Sequence, residues 1–423
     1  MARFVEVSVS YPIPHNWKWD SIGNYAKIKS GYPFDSEKFS DDPTGRQPLI
    51  RIRDILREST NTFTDECCPE EYIIHAGDIL IGMDGDFNVG KWNGDDALLN
   101  QRVCYIQSNS NCLLNDYLYY YLPGILKIIN NATPSVTVKH LSANTLRKTQ
   151  IPLPPLAEQQ RIVDRIESLF AKLDEAKEKA QAVVDSFEAR KAAILHKAFT
   201  GELTAKWREE HGVSIDNWKT TRFDSVAAIR SNLVDPAEYQ SFPHIAPDNI
   251  EKKTGVLLEY HTIAEDGVTS GKNRFYSGQI LYSKIRPYLS KAVVVDFDGL
   301  CSADMYPIEA YQNARCLWYY MLSDEFLLQA STAGSRSVLP KINQKELSAL
   351  TVHLPTNDRE QEEIARILDE LFDKEQQTKE AAEIVLDQIE LMKKSILARA
   401  FRGELGTNDP NEESAVELLK QIF

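Results

Sequence analysis

The stretch from Glu158 to Leu203 occurs twice in this chain. EQQRIVDRIESLFAKLDEAKEKAQAVVDSFEARKAAILHKAFTGEL returns as EQEEIARILDELFDKEQQTKEAAEIVLDQIELMKKSILARAFRGEL, Glu360 to Leu405. About 20 positions are identical over roughly 46 without a gap, at an offset of about 202, which marks a doubled architecture. In the first copy apolar residues fall alternately four and three apart: Ile162, Ile166, Leu169, Leu173, Ala176, Ala180, Val183, Phe187, then Ile194. That is a heptad seam with one break, at Arg190. The second copy gives Ile364, Leu368, Leu371, polar Glu375 and Thr378, then Ala382, Val385, Ile389, Met392 and Ile396. Neither copy holds Pro or Gly before its closing Gly201 or Gly403, placed where a helix end takes a left-handed residue. Each helix is expected to run about 42 residues, roughly 60 Å at about 1.5 Å per residue. A helix of that length with one apolar stripe needs a partner, and the other copy supplies it.

Composition narrows the class. The chain has 423 residues, 43% of them hydrophobic, which is ample for real cores in two or more domains. The start, MARFVEVSVSYPIP, carries Arg3 and Glu6 and lacks the apolar run of a secretory signal. No apolar run reaches membrane-spanning length. The six cysteines form no CxxC pair and no metal-ligand spacing with histidine, so reduced thiols in a cytoplasmic protein are expected. The net charge of −14 is unevenly spread, with about −8 of it in residues 353–423. The two globular stretches are nearly neutral, so either can carry a basic face, and net charge does not exclude nucleic acid.

The parts before the helices also echo one another. Asn16-Trp17-Lys18 matches Asn217-Trp218-Lys219, Ile28 with Ser30 matches Ile229 with Ser231, and Gly77, Ile79 and Leu80 match Gly278, Ile280 and Leu281. The last set predicts a turn followed by an apolar strand. Leu118-Tyr119-Tyr120-Tyr121 and Leu317-Trp318-Tyr319-Tyr320 predict an aromatic core helix in each half. Between these fixed points GMDGDFNVGKWNGDDALLNQRV and YSKIRPYLSKAVVVDFDGLCSAD have little in common. One scaffold is expected to present two unlike recognition surfaces. The fold expected is two mixed α/β (α+β) domains separated by two long antiparallel coiled-coil helices, cyclic and pseudo-two-fold. The tail, apolar at Val416, Leu419 and Ile422, reads as a short amphipathic helix on the first domain.

Catalytic motifs do not emerge. GVTSGKN, Gly267 to Asn273, is one residue short of a phosphate loop and lacks the Ser/Thr that would hold Mg²⁺. Pro247-Asp248 with Glu251 and Lys253 reads as a helix-start turn rather than a nuclease metal site. There is no GxGxxG, no HExxH and none of the Asn/Asp-Pro-Pro-Tyr/Phe tetrapeptide of base methyltransferases. The cations are more suggestive. Lys284, Arg286 and Lys291, with Tyr288 and with Lys272 and Arg274 upstream, crowd a short stretch of the second half. Arg51, Arg53, Lys91 and Arg102 are the candidates in the first half, with Asn88, Asn93, Asn100 and Gln101 able to pair with adenine edges. Such side chains supply both phosphate contacts and guanine contacts.

LPPLAEQQRIV (Leu153–Val163) with AFTGEL (Ala198–Leu203), and LPTNDREQEEIA (Leu354–Ala365) with AFRGEL (Ala400–Leu405), resemble the specificity (S) subunit of type I restriction-modification systems. GDIL, LNQRV and YSKIRPYLSK are similar to that family's variable segments. The resemblance spans essentially the whole chain. The second copy departs from it at Thr356-Asn357 and by one inserted residue before Glu360. It implies target-recognition domains at 1–152 and 205–352, conserved helices at 153–204 and 353–406, and a tail helix at 407–423 packing on the first domain. It further implies a non-catalytic DNA-recognition subunit that reads a split target with one domain per half-site. Two methylation subunits and two restriction subunits would be its partners, and they, not this chain, would use S-adenosylmethionine, ATP and Mg²⁺. A partner that meets both halves alike would use the repeated helix, at Leu169 and Phe170, Leu371 and Phe372, Phe199 and Phe401. The alternative from another class is a coiled-coil adaptor joining two proteins through its end domains.

Overall fold

The computed structural model describes residues 10–57, 59–134, 138–333 and 340–412. The chain forms two compact units, residues 1–179 with 385–423, and residues 180–384. Each unit therefore holds one mixed domain and a share of both long helices.

The first unit is built on two four-stranded sheets. One is antiparallel, ordered Ala26–Ser30, Val103–Ser108, Ile79–Gly82, Val89–Lys91. The other is ordered Phe63–Thr64, Gln47–Ile50, Ala97–Leu99, Ile73–Ile74, with its central pair parallel. The expected turn-then-strand is present, Gly77 taking φ +93° ahead of Ile79–Gly82. Lys18–Ser21 pairs with Gln150–Leu153 and leads the chain into the first long helix. The aromatic helix, Asn115–Ala132, buries Tyr117, Leu118, Tyr121 and Leu122 in the main core. Against that core pack Ile162, Val163 and Ile166 of the long helix and Phe401 from the end of the other.

The second unit repeats the plan. Ala227–Ile229, Met305–Ala310, Ile280–Ser283 and Ala292–Val294 form the antiparallel sheet, and a five-stranded sheet replaces the mixed one. Trp218–Arg222 pairs with Thr351–Pro355 as the lead-in. The aromatic helix is Ala314–Met321, again buried. Pro247–Asn249 is a 3₁₀ turn, as the sequence predicts.

The long helices join these domains through polar side chains that the repeat carries twice. Glu158, with no exposed surface, accepts the Trp17 indole N–H at 3.0 Å. Glu360, equally buried, accepts the Trp218 indole N–H at 3.0 Å. The next residue in each copy clamps the loop before the aromatic helix. Gln159 accepts from the Leu114 amide at 2.9 Å and donates to the Cys112 carbonyl at 2.8 Å. Gln361 accepts from the Asn313 amide at 3.3 Å and donates to the Pro355 carbonyl at 2.7 Å. Asn357, at the departure from the family pattern, is a helix cap: its side chain accepts from the Arg359 amide at 3.0 Å and the Glu360 amide at 3.3 Å. Gly201 and Gly403 take φ +80° and +75°, the left-handed caps expected.

Two features of the helices differ from the sequence reading. The first is a pair of helices, Leu156–Asp185 and Phe187–Phe199, interrupted at Ser186, where the sequence reading expects a single helix of about 42 residues. The Ser186 hydroxyl donates to the Ala182 carbonyl at 2.6 Å, a back-bond that bends helices. Arg190 then packs its guanidinium on the Val183 carbonyl at 3.2 Å and on Glu375 at 2.7 Å. The other long helix runs unbroken over Asp358–Ala400. Its buried stripe includes Ala382 and Ile389, while Val385 and Met392, placed on the seam by their spacing, are 39% and 47% exposed. Within each unit the helix segments run antiparallel. Asp174 pairs with Lys393, and Lys177 with Glu390 at 2.7 Å. In the second unit Arg190 pairs with Glu375, and Lys379 lies 4.9 Å from the Phe187 ring. Glu412 is the last described residue, held by Arg161 at 2.7 Å, so the expected tail helix lies outside the described residues. Among the described residues no helix is long and apolar enough to cross a membrane.

Candidate nucleic-acid interface

The same backbone hydrogen bonds frame the variable loops in both units. In the first, the Gly82 amide donates to Asn88 O at 2.8 Å, Met83 to Arg102 O at 3.0 Å, and Leu141 to Met83 O at 2.7 Å. In the second, Ser283 donates to Lys291 O at 3.0 Å, Lys284 to Asp304 O at 3.0 Å, and Ile342 to Lys284 O at 2.9 Å. Asn88 and Lys291 thus hold one position of the frame, Met83 and Lys284 a second, Arg102 and Asp304 a third. Three of the four non-glycine residues with positive φ among the described residues lie on the loops so framed: Phe87 at +54°, Arg286 at +48° and Ser290 at +47°. Each such conformation costs on the order of 1–3 kcal/mol and persists where the surroundings impose it, commonly at functional sites.

In the first unit Arg51, Arg53, Asn88, Asn100, Gln101 and Arg102 line one open pocket of about 540 Å³. Arg53 donates to Thr62 Oγ1 at 2.8 Å. Arg102 meets Asp84 at 3.3 Å, and His140 Nδ1 holds the other Asp84 oxygen at 2.6 Å. Arg51 leans on the Phe39 ring at 5.6 Å and has no carboxylate partner among the described residues. Gln101 is exposed, whereas Asn100 is 7% exposed and spends its carbonyl oxygen on the Arg102 amide at 3.3 Å. Asn93 stays outside this pocket. Lys91 does too: its ammonium is engaged by Asp116 and lies 5.4 Å from the Tyr119 ring.

The second unit divides its cations. Arg286 and Tyr288 are exposed on the loop between Ile280–Ser283 and Ala292–Val294, and Arg286 has no side-chain partner among the described residues. Lys284 donates to Ala303 O at 2.6 Å and lies 3.6 Å from Asp304. Lys291 turns inward to Pro247 O at 2.7 Å, and Lys272 is 6% exposed with its ammonium on Ser270 Oγ at 2.7 Å. Burial lowers the Lys272 pKa. Arg274 belongs to a separate pocket with Arg230, Asn232 and Glu309, its guanidinium 4.9 Å from the Tyr276 ring. Sequence reasoning passed over Asp84, His140, Asp304 and Lys341, the last 3.3 Å from Asp304. Two of these are anions, and His140 and Lys341 are distant in sequence from the loops they join by β-bridges, Asp84 to His140 and Ile285 to Lys341.

The expected partner face on the helices is corrected at two residues. Phe199 and Phe401 are each 5% exposed, Phe199 against Tyr320 and Phe401 against Tyr117 and Tyr121. They close the two cores. Phe170 and Phe372 are half-buried on Tyr120 and Tyr319, while Leu169 and Leu371 stay at the helix surface, partly exposed.

A glycine braces the Asn100–Arg102 edge of the pocket in the first unit. A Cβ on Gly31 would stand 2.2 Å from the Asn100 carbonyl oxygen and 2.4 Å from that of Leu99. Both are backbone atoms that cannot swing aside. Gly31→Ala is therefore expected to cost about 1–3 kcal/mol through overpacking. It should also displace Asn100–Arg102, so hydrogen exchange should rise in Ala97–Ser108 while the second unit keeps its protection.

Comparison with known proteins supplies the family. The sequence model for the type I restriction modification DNA specificity domain matches residues 14–184 and again 215–385. This chain belongs to the type I specificity subunits. The Escherichia coli EcoDI specificity subunit is 33% identical over 97% of this chain and 95% of its own length. The EcoBI specificity subunit of Escherichia coli is 32% identical over 97% of this chain and 92% of its own length. Two solved structures share the fold. The HsdS subunit from Thermoanaerobacter tengcongensis is 17% identical, with a TM-score of 0.58 over 93% of this chain and 99% of that one. A chain from a study of complex assembly and conformational transition in the type I system is 18% identical, with a TM-score of 0.69 over 94% and 100%. As a specificity subunit, the protein recognises DNA targets through two domains and is itself non-catalytic; nothing favours the adaptor reading.

Proposed function

We propose that each unit reads one half of a split DNA target, through the pocket around Arg51, Arg53, Gln101 and Arg102 in the first and the loop of Lys284, Arg286 and Tyr288 in the second. The observation that carries this is the shared frame: identical backbone bonds hold chemically unlike side chains at matching positions. Unlike side chains on one scaffold read unlike half-sites, so the target is two different blocks separated by unread base pairs. Cations at these edges supply phosphate contacts for position and base-edge contacts for sequence. Methylation subunits, two by the repeat, dock on the long helices, with restriction subunits beyond them, in the cytoplasm where the DNA is. S-adenosylmethionine, ATP and Mg²⁺ belong to those partners. Co-expression with a methylation subunit and genome-wide methylation mapping tests this reading. A single undivided site, or no site-specific methylation by the complex, would overturn it.

The partner surface follows from what is both repeated and partly exposed. Leu169→Asp with Leu371→Asp is expected to reduce capture of the methylation subunit at least tenfold while leaving the helical circular dichroism unchanged. A charge placed in the apolar centre of an interface is left unpaired and costs several kcal/mol. Unchanged pull-down by the double variant would move the docking face elsewhere.

A further inference from the structure

One position of the shared frame carries opposite charges in the two units. Arg102 and Asp304 are matched by the bonds their carbonyls accept, from Met83 and from Lys284. Their surroundings invert with them. Arg102 is faced by the carboxylate of Asp84, itself held by His140. Asp304 is faced by Lys284 at 3.6 Å and Lys341 at 3.3 Å. His140 and Lys341 sit at equivalent β-bridges, but the counter-charge of Arg102 is Asp84 across that bridge, whereas Lys341 itself faces Asp304.

Both side chains keep a free recognition edge. Arg102 is engaged through Nη1 alone, and its side chain is 57% exposed. Both lysines approach the same oxygen of Asp304, Oδ1; Oδ2 has no partner among the described residues, and the side chain is 41% exposed. A lone carboxylate would be repelled by phosphates. Two ammonium groups beside it offset that repulsion and leave one oxygen as an acceptor. A guanidinium oriented by a carboxylate offers the converse, a fork of donors in fixed geometry.

Building on the half-site reading above, we infer that residues 102 and 304 are the matched specificity-determining pair of the two domains. Arg102 donates to the acceptor edge of a guanine in one half-site. Asp304 accepts from an exocyclic amino group, that of cytosine, in the other. The pairings are those which donor and acceptor geometry favours in the major groove. Asp84 and His140 are positioning residues; Lys284 and Lys341 offset the repulsion between Asp304 and phosphate.

The test maps methylation by the full chain with its methylation partner, for the parent, Arg102→Gln, Asp304→Asn and Lys341→Ala. Arg102→Gln should relax one base pair of the first unit's half-site by about 10- to 100-fold and leave the other half-site intact. Asp304→Asn should relax one base pair of the second unit's half-site by a similar factor. Lys341→Ala should lower binding to all sites alike, with the salt slope smaller by about one, and keep the base preference. If Asp304→Asn behaves as Lys341→Ala does, the carboxylate only orients lysines and the inference fails for that unit. Unchanged preference in Arg102→Gln defeats it for the other. A parent complex that methylates no divided site would overturn the half-site reading itself, a result distinct from either.

Discussion

Glu360→Ala is expected to destabilise the second unit by about 3–5 kcal/mol, because it leaves a buried guanidinium without its counter-charge. Glu360 accepts from Arg208 at 2.7 Å, from Thr204 at 2.8 Å and from the Trp218 indole at 3.0 Å. Arg208 is anchored besides to the Gly201 carbonyl at 2.8 Å, so it cannot swing to solvent when the carboxylate goes. The matching residue of the first unit behaves otherwise. Glu158 has no arginine bonded to it; burial raises its pKa, with Trp17 and Arg161 opposing that rise. A carboxyl whose folded pKa lies above its unfolded one is a net cost at neutral pH, and the fold gains stability as acidification protonates it first. Glu158→Gln keeps an acceptor for Trp17 and removes that cost. It should therefore leave the first unit as stable or more stable at neutral pH, and flatten its pH dependence just above the ordinary carboxylate range. Hydrogen exchange, resolved by unit, measures both. Equal losses in Glu360→Ala and Glu158→Gln would show that the two carboxylates do the same job.

Arg286→Gly should broaden the half-site read by the second unit and leave the first untouched, at a cost of about 1–3 kcal/mol of discrimination. Arg286 stands at φ +48° with Pro287 next in the chain, and it is exposed with no side-chain partner among the described residues. Glycine relieves the backbone strain while removing the cation, so any loss belongs to the side chain and not to the loop. Arg286→Lys separates two kinds of contact, since lysine keeps the charge but loses the planar fork. Methylation mapping should show the lysine variant relaxed at the same base pair as the glycine variant. Full preference retained in the lysine variant would make Arg286 a phosphate contact.

Much of the fold was legible because it is written twice. The repeat, the capping glycines and the buried aromatic helices depend on spacing and residue type, which one sequence displays. The matched Asn-Trp-Lys segments and the Glu-Gln at each helix start were visible as identities, but their meaning was not. Only the folded chain brings Trp17 to Glu158 and Trp218 to Glu360. The interruption at Ser186, where the hydroxyl turns back on the Ala182 carbonyl, was hidden because it leaves the apolar pattern unchanged. Cations posed the harder problem. Lys272, Lys291 and Lys91 look like Arg286 in a sequence, yet each is bonded internally, and only burial and partners tell them apart.

The paired Trp–Glu and Gln–loop bonds also bear on how such a chain can change over generations. Each domain brings its own tryptophan and its own loop, and each helix start offers the same carboxylate and the same amide. A genetic crossover near Leu153 or Leu354 would therefore exchange everything that reads DNA while leaving the attachment chemistry matched. New pairings of half-sites could arise in one recombination event, with no compensating substitutions in either core.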